Sequence, residues 1–283
     1  MTDYSVKRDH WGRPWVSQDG SPLRYEGGKK SPVNGIAYTR VSTLAETLDD
    51  KSGLLDWSAA NAAIGVVRDA SIYAQIAHLA SAHTDPWNVP AAKQQLKPLV
   101  ARAQQMAGSD SAAGMGTAFH GLAEIVDQGE DPEFAPPPMR PWLAAYREAL
   151  TDWEVLDTEV FVVNDELQTA GSLDRLLRHR KTGRVVVGDV KSGRSDPDYP
   201  MKVTIQVAIY AHGERYDQES GKREPLHEEI DLERGLLIHA PIRGGGEPKV
   251  GLYPLDLVKG WELAKLAVQI RAARKMPKLE AFA

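Results

Sequence analysis

The chain has 283 residues, no cysteine, and 34 Lys and Arg against 39 Asp and Glu, which gives a formal charge of −5. The absence of cysteine excludes disulfides, cysteine-ligated zinc, a cysteinyl iron–sulfur cluster and a cysteine nucleophile. The mild acidity argues against a protein that coats nucleic acid by bulk charge, but it leaves room for a local basic channel.

The first part of the chain predicts an arm followed by helices. Residues 1–40 are rich in Gly, Pro, Ser and aromatic residues, which is typical of small strands or an irregular arm. Thr43 and Glu46 form a capping box and predict a helix that begins near residue 43. Residues 54–107 are rich in Ala and predict several helices, with a break at Asp85-Pro86. We therefore interpret residues 1–109 as an N-terminal arm and a mainly helical region.

The remainder of the chain contains both helical and strand patterns. Helices are predicted at 111–128, 139–152, 200–215 and 255–275, and strands at 155–163, 169–177 and 184–190. Residues 236–239 and 250–253 predict a hairpin across a Gly-rich loop. This order predicts an α/β fold with a mixed central β-sheet flanked by helices, over residues 110–283 as one compact unit.

No segment reaches the roughly 18 apolar residues that a membrane crossing needs. Residues 1–15 also lack the apolar core of a signal peptide. We therefore expect a cytoplasmic protein with no membrane partner.

The most informative segment follows the apolar run Val185–Val187. Asp189 and Lys191 share one face of a strand there, at the end of a stretch that should be buried. Asp174 lies on the preceding predicted strand, and pairing of the two strands would bring the carboxylates of Asp174 and Asp189 together. A surface ion pair between Asp189 and Lys191 is the alternative interpretation.

Two carboxylates and a main-chain carbonyl, for which Val190 is the candidate, suit the hard cations Mg²⁺ and Mn²⁺. A lysine beside the metal can position the attacking water or help to deprotonate it. Glu159, on the strand before Asp174, is either a ligand of a second metal ion or a surface residue.

Two helices contribute further candidates. Gly116, His120 and Glu124 share a helical face because they are four residues apart. His120 is either a nitrogen ligand for an ion such as Mn²⁺ or a buried histidine bonded to a backbone group. Glu124 fits a helix surface or the support of a ligand better than direct coordination. Gln206 and Tyr210 also share a face, and they either serve the site or pack their helix on the sheet.

Four segments occur in the order in which the PD-(D/E)XK nucleases carry them, and the chain resembles the RecB-like branch of that superfamily. The segments are Gly116–His120, Gly171–Asp174, Asp189–Gly193 and Gln206-x-x-x-Tyr210. Each is weak alone, but four in order in suitable predicted elements are specific. The resemblance covers residues 110–215 well and residues 36–57 less specifically.

The resemblance implies a restriction-endonuclease-like core and a DNA exonuclease that uses one or two Mg²⁺ or Mn²⁺ ions. Asp174, Asp189 and Lys191 would be the catalytic residues, and His120, Asp174 and Asp189 the metal ligands. Further residues would organise the site or contact DNA; these are Gln206, Tyr210, Ser192 and Arg194. Arg40 and Arg140 are candidates for binding a terminal phosphate.

The resemblance also implies a role in phage recombination or DNA end processing, in the host cytoplasm if the protein is phage-encoded. It would allow a single-strand annealing protein as partner and a homo-oligomer. The lack of cysteine favours the exonucleases without an iron–sulfur cluster. Two alternatives remain open: a structure-specific or restriction-like endonuclease, and a non-catalytic nucleic-acid-binding or anti-defence interaction protein on the same fold.

The charge is unevenly distributed along the sequence. Residues 167–215 contain nine Lys and Arg against five Asp and Glu, whereas residues 116–165 contain two against eleven. A basic stretch around the candidate site can hold phosphates although the whole chain is acidic. An evenly solvated surface is the alternative.

Overall fold

A computed structural model describes residues 6–193, 200–243 and 246–280, with the backbone alone for residues 109–113. The chain divides into two compact units. The sheet unit comprises Met1–Asp49 and Leu122–Ala283, and the helical unit comprises Asp50–Gly121. The boundary that we predicted near residue 110 lies inside a helix, Ser109–Asp127, which continues from the helical unit into the sheet unit.

The described elements are these, in chain order. The strands are β1 (Trp15–Ser17), β2 (Gly35–Ala37), β3 (Thr39–Arg40), β4 (Trp153–Asn164), β5 (Thr169–His179), β6 (Val185–Ser192), β7 (Glu214–Tyr216), β8 (Arg223–Pro225), β9 (Arg234–Ala240) and β10 (Gly251–Asp256). The α-helices are α1 (Val41–Ala45), α2 (Ser52–Arg68), α3 (Ala70–Ala82), α4 (Pro90–Met106), α5 (Ser109–Asp127), α6 (Arg140–Ala149), α7 (Met201–Ala211) and α8 (Leu257–Ala273). Short 3₁₀ helices span Glu46–Leu48 and Pro86–Asn88.

The sheet unit is built on one mixed sheet of eight strands. Seven of them follow the order β10-β9-β6-β5-β4-β7-β8, and β3 pairs with β5 outside this path. The β6–β9 and β3–β5 pairs are parallel, and the other pairs of this sheet are antiparallel. The prediction of an α/β fold with a mixed central sheet, flanked by helices and accompanied by an N-terminal helical region, is confirmed.

Helices cover both faces of the central strands. On one face, Gln206 of α7 reaches Asp189 of β6. On the other face, Arg175 of β5 meets Tyr146 of α6 and Asp127 at the end of α5. Since the middle of the sheet is covered on both sides, β6 reads as a continuous apolar run rather than as an alternation.

The contact between α7 and α8 depends on small residues. Gly260, Ala264 and Ala267 of α8 are buried at helical spacing. A Cβ on Gly260 would lie 2.6 Å from the Thr204 carbonyl oxygen of α7, so only glycine permits this approach. Helix α7 in turn contacts the candidate site, through the bond from Gln206 to Asp189 of β6.

Two predicted helix boundaries differ from those of the structure. The helix predicted to begin near residue 43 begins at Val41, and its N-terminal residue Arg40 makes no capping hydrogen bond. The Glu46 carboxylate accepts from the Lys202 ammonium of α7 at 2.7 Å.

The helix predicted over 200–215 ends at Ala211, and Glu214–Tyr216 form β7 beside β4. Gly213 makes this exit possible, because a Cβ there would lie 2.4 Å from Val162 Cγ1 and 2.8 Å from the Val163 carbonyl oxygen. The chain thus leaves the helix where it can pass close against β4, a contact that local helical patterning does not encode.

The helical unit consists of α2, α3, α4 and the first part of α5. Its break at Asp85-Pro86 is confirmed by the 3₁₀ helix there, where the Asp85 carboxylate accepts from Trp87 N. Helices α2 and α4 meet at Gly65, which is buried. A Cβ on Gly65 would lie 1.7 Å from the Ala103 carbonyl oxygen.

Replacing Gly65 with Ala should destabilise the protein, by about 1–3 kcal/mol, since a methyl group would have to push two helix backbones apart. Gly53→Ala in the same helix is the matched control, because nothing lies within 4 Å of its Cβ position. That control should be unchanged or more stable by about 0.5–1 kcal/mol. Urea denaturation followed by circular dichroism measures both, and equal midpoints for the two variants would contradict the tight crossing.

No helix in the described part of the chain is both long enough and apolar enough to cross a membrane.

Candidate active site

The candidate site lies where two neighbours of β5 leave a gap. One edge of β5 pairs with β6 at Arg175–Arg178 and with β3 at Thr169 and Ala170. Residues 171–174 of β5 pair with neither strand on this edge. The candidate residue Asp174 is at one end of the gap, beside β6, and Arg40 of β3 is beside its other end.

Asp174 takes over the hydrogen bonding where the β5–β6 ladder ends. Its Oδ2 accepts from the Val190 N–H at 2.8 Å, two residues beyond the last ladder pair, Arg175 and Gly188. In a strand the N–H and C=O of one residue point to the same side. The Val190 carbonyl, predicted as a ligand, therefore faces the side on which Asp174 lies.

Asp189 is buried, with 1% of its surface exposed, and it has two polar neighbours. The Gln206 amide donates to Oδ1 at 2.8 Å. The Lys191 ammonium lies 2.6 Å from Oδ2 as an ion pair, but Oδ2 accepts no aligned hydrogen bond in the described part of the chain. Burial raises the pKa of Asp189, Lys191 opposes this, and the carboxylate of Asp174 adds to it. The predicted convergence of Asp174 and Asp189 is present.

Lys191 places its ammonium against the buried carboxylate of Asp189, and 40% of its side chain is exposed. Burial lowers the pKa of Lys191, but the charges of Asp189 and Asp174 outweigh burial and leave that pKa above its usual value. The lysine is therefore a cation beside two carboxylates, able to hold a phosphate oxygen or a water.

Tyr210 closes the gap from the side of α7. Its hydroxyl lies 2.8 Å from the point that a Cβ on Gly171 would occupy, so a larger residue at Gly171 would displace it. Burial, followed by the charges of Asp174 and Asp189, raises the pKa of Tyr210 well above its usual value. The phenol thus stays protonated beside the carboxylates and can donate a hydrogen bond.

Glu159 and Glu124 are the two predicted acidic residues of the site besides Asp174 and Asp189. Glu159 lies opposite Asp174 on β4, between the ladder pairs Thr158–Arg175 and Val160–Leu173, and has a positive φ of 51°. It is exposed. Desolvation by surrounding atoms and then the charge of Asp174 raise its pKa to about 7, an effect that contact with solvent weakens. Glu124 Oε1 lies 3.5 Å from the Thr158 hydroxyl. Their roles stay predictions.

Sequence analysis did not identify the side chain that bonds the backbone of Asp174. Arg175 is fully buried, pairs with Asp127 and Tyr146, and donates from Nη1 to the Asp174 carbonyl at 2.8 Å. Burial raises the pKa of Asp127 more than Arg175 lowers it. A signal was present, because Arg175 falls on the same face of β5 as the buried Leu177. A charged side chain among the apolar residues of a buried strand face requires a buried partner.

The remaining predicted residues are placed as follows. His120 is half-buried on α5 in the helical unit, one turn before Glu124, and its role as a ligand stays a prediction. Ser192 ends β6 opposite Ala240 of β9. Arg194 lies outside the described residues. Arg140 donates to the Ala135 carbonyl at 3.1 Å, so its side chain makes a local contact with the segment before its own helix.

The residues present fit a magnesium-type ion, although within the described ranges no three His, Cys, Asp or Glu side chains form a ready metal cluster. Mg²⁺ is commonly held by one or two carboxylates together with substrate phosphates and water. Asp174 and the buried Oδ2 of Asp189, with the Val190 carbonyl, match this donor set. The pair of carboxylates would supply the charge, and the substrate would complete the coordination.

Comparison with known proteins adds little. No protein-family model matches the chain, and no curated protein matches it. Among solved structures, the crystal structure of SSO0001 matches with 16% identity and a TM-score of 0.28, over 66% of this chain and 71% of that chain. So low a TM-score carries no argument about fold or function.

Proposed function

We propose that the protein is a divalent-metal-dependent deoxyribonuclease of the PD-(D/E)XK type, which hydrolyses DNA from an end. The observation that carries this proposal is the convergence of Asp174, Asp189 and Lys191 at the gap in the sheet. Two acids and a lysine on neighbouring strands can perform metal-assisted phosphodiester hydrolysis.

Each residue has a role that its contacts support. Asp174 and Asp189 would hold the ion with the Val190 carbonyl. A bound divalent ion supplies Lewis-acid polarisation of the phosphodiester. Lys191 holds a phosphate oxygen or the attacking water, because its ammonium lies beside Asp189 on a side chain that is partly exposed. Gln206 fixes the orientation of the Asp189 carboxylate through Oδ1.

The alternative functions differ in what they require of the site. A non-catalytic DNA-binding or interaction protein has no need of two carboxylates and a lysine gathered around one buried acid, because buried charge costs stability unless it is used or paired. An endonuclease would use the same groups. The resemblance to phage recombination exonucleases is what favours action at an end.

End-labelled linear duplex and covalently closed circular DNA, each with and without Mg²⁺, test the proposal. We expect Mg²⁺-dependent release of short products from linear DNA and an intact circle. Cleavage of the circle at a comparable rate would favour the endonuclease. No hydrolysis of single-stranded, duplex or circular DNA with Mg²⁺ or Mn²⁺ would overturn the proposal.

A further inference from the structure

A basic pocket lies at the far end of the gap from Asp174. Its volume is about 380 Å³, and all its lining residues belong to the sheet unit. They come from the N-terminal arm, from β3 and α1, and from α8, and are Trp11, Arg13, Thr39, Arg40, Thr43 and Arg271. Three arginines and two threonines line one hollow, and their guanidinium and hydroxyl groups are donors suited to an oxyanion.

The positive charge of this pocket is poorly balanced by the protein itself. Arg13 pairs with Asp9 at 2.7 Å. Arg40 makes only a long contact, 3.4 Å, with the Ser42 hydroxyl, and within the described residues neither Arg40 nor Arg271 forms an ion pair. Burial, followed by the charge of Arg40, lowers the pKa of Arg8 nearby. Two arginines gathered without a counter-ion attract an anion from solution.

The pocket also presents an aromatic surface. Trp11 is 68% exposed, although the Arg13 guanidinium lies 4.8 Å from its ring centroid and the exposed His10 ring lies beside it. An exposed indole beside an anion pocket fits the stacking of a base next to its phosphate. A base pair within a duplex cannot offer its face in this way, so the occupant would be unpaired.

The pocket and the carboxylates share one edge of β5. Arg40 is level with Ala170, and Asp174 is four residues further along the strand, about 13 Å at roughly 3.3 Å per residue. Tyr210 connects the two ends, since its hydroxyl lies against Gly171, and the charges of Arg40 and of both aspartates act on it. A strand lying in the gap would span a few nucleotides between the two sites.

We infer that this pocket is a second nucleotide subsite, which holds a phosphate between Arg40 and Arg271 and stacks the adjoining unpaired base on Trp11. The inference rests on the proposed function, because it places the same DNA strand in both sites. It defines the substrate as a single strand, or an end whose bases have separated, at least over the few nucleotides between the pocket and the carboxylates.

The test measures binding of a short labelled oligothymidine and of a blunt duplex by fluorescence anisotropy, with EDTA present so that no hydrolysis takes place. The variants are Arg40→Ala, Arg271→Ala, Trp11→Ala and Trp11→Phe. Arg234→Ala is the arginine control, because Arg234 is exposed at the start of β9 and makes no ion pair in the described chain. Trp87→Ala is the tryptophan control, since Trp87 is exposed in the helical unit.

Arg40→Ala and Arg271→Ala should weaken binding of the oligothymidine and reduce the slope of log K against log salt by about 0.7 each. Trp11→Ala should weaken it roughly 5- to 150-fold, with duplex binding unchanged, and Trp11→Phe should retain most of it. Affinities equal to those of the controls would overturn the pocket while leaving Mg²⁺-dependent hydrolysis, and so the proposed function, intact. Equal losses on single strand and duplex for Trp11→Ala would also overturn it, as would wild-type protein that binds no oligothymidine, whereas the proposed function fails only if no DNA is hydrolysed with Mg²⁺ or Mn²⁺.

Discussion

Asp189→Asn should reduce Mg²⁺-dependent DNA hydrolysis by roughly 10³-fold or more while leaving the protein folded. The change preserves the shape of the side chain and a partner for Gln206 but removes one of two negative charges. Lewis-acid stabilisation by a metal is worth several kcal/mol, and each ~1.4 kcal/mol is a factor of ten in rate. Initial rates on end-labelled linear DNA at saturating Mg²⁺ measure the loss.

Stability separates this effect from unfolding. Burial raises the pKa of Asp189, so its ionised form is costly and the neutral Asn should be at least as stable in urea denaturation. Lys191→Met should be similarly inactive and folded. Asp152→Asn is the matched control, because Asp152 forms an exposed pair with Lys181, and it should keep the wild-type rate. An Asp189→Asn protein as active as this control would refute the catalytic assignment.

Arg175→Met should lower the free energy of unfolding by about 3–5 kcal/mol, because it leaves the carboxylate of Asp127 buried without its cation. Arg178→Ala on the same strand is the matched control. It breaks a pair with Glu154 that is about half exposed, and should cost about 0–1 kcal/mol. Chemical denaturation of the two variants under the same conditions gives the comparison.

The pH dependence of this loss identifies its cause. Asp127 already has a raised pKa in the folded protein, and removing Arg175 raises it further. A carboxyl with a raised folded-state pKa stabilises the fold below its unfolded pKa and ceases to do so as the pH rises through the folded value. The penalty of Arg175→Met should therefore shrink as the pH is lowered. A penalty that does not vary with pH would indicate lost packing instead of an unpaired charge.

The function of Arg175 can be separated from its effect on stability. Its Nη1 bonds the Asp174 carbonyl, so the arginine also holds the strand segment that presents the Asp174 carboxylate. A variant with both Arg175→Met and Asp127→Leu removes the two buried charges together, and it should recover most of the stability. If it remains slow in hydrolysis with an unchanged KM, Arg175 is a positioning residue as well as a structural one.

The motif residues and the strands that carry them could be predicted from the sequence alone. Asp189 and Lys191 follow an apolar run, alternation puts them on one face, and the hairpin before Val185 makes β5 the neighbour of β6. These are local properties of spacing, and the Asp174–Val190 and Gln206–Asp189 contacts agree with them.

The tertiary structure alone decided what surrounds these residues. The gap at 171–174 lies between two strands that pair with the same edge of β5. One is β6, and the other is β3, which comes from a distant part of the chain. The Arg175–Asp127 pair and the pocket of Arg13, Arg40 and Arg271 also join residues far apart in sequence. No spacing rule links such residues, because their proximity follows from strand order and helix packing. The sequence by itself thus determined the α/β core and the acid–acid–lysine set, whereas the fold decided from which side a substrate could approach them.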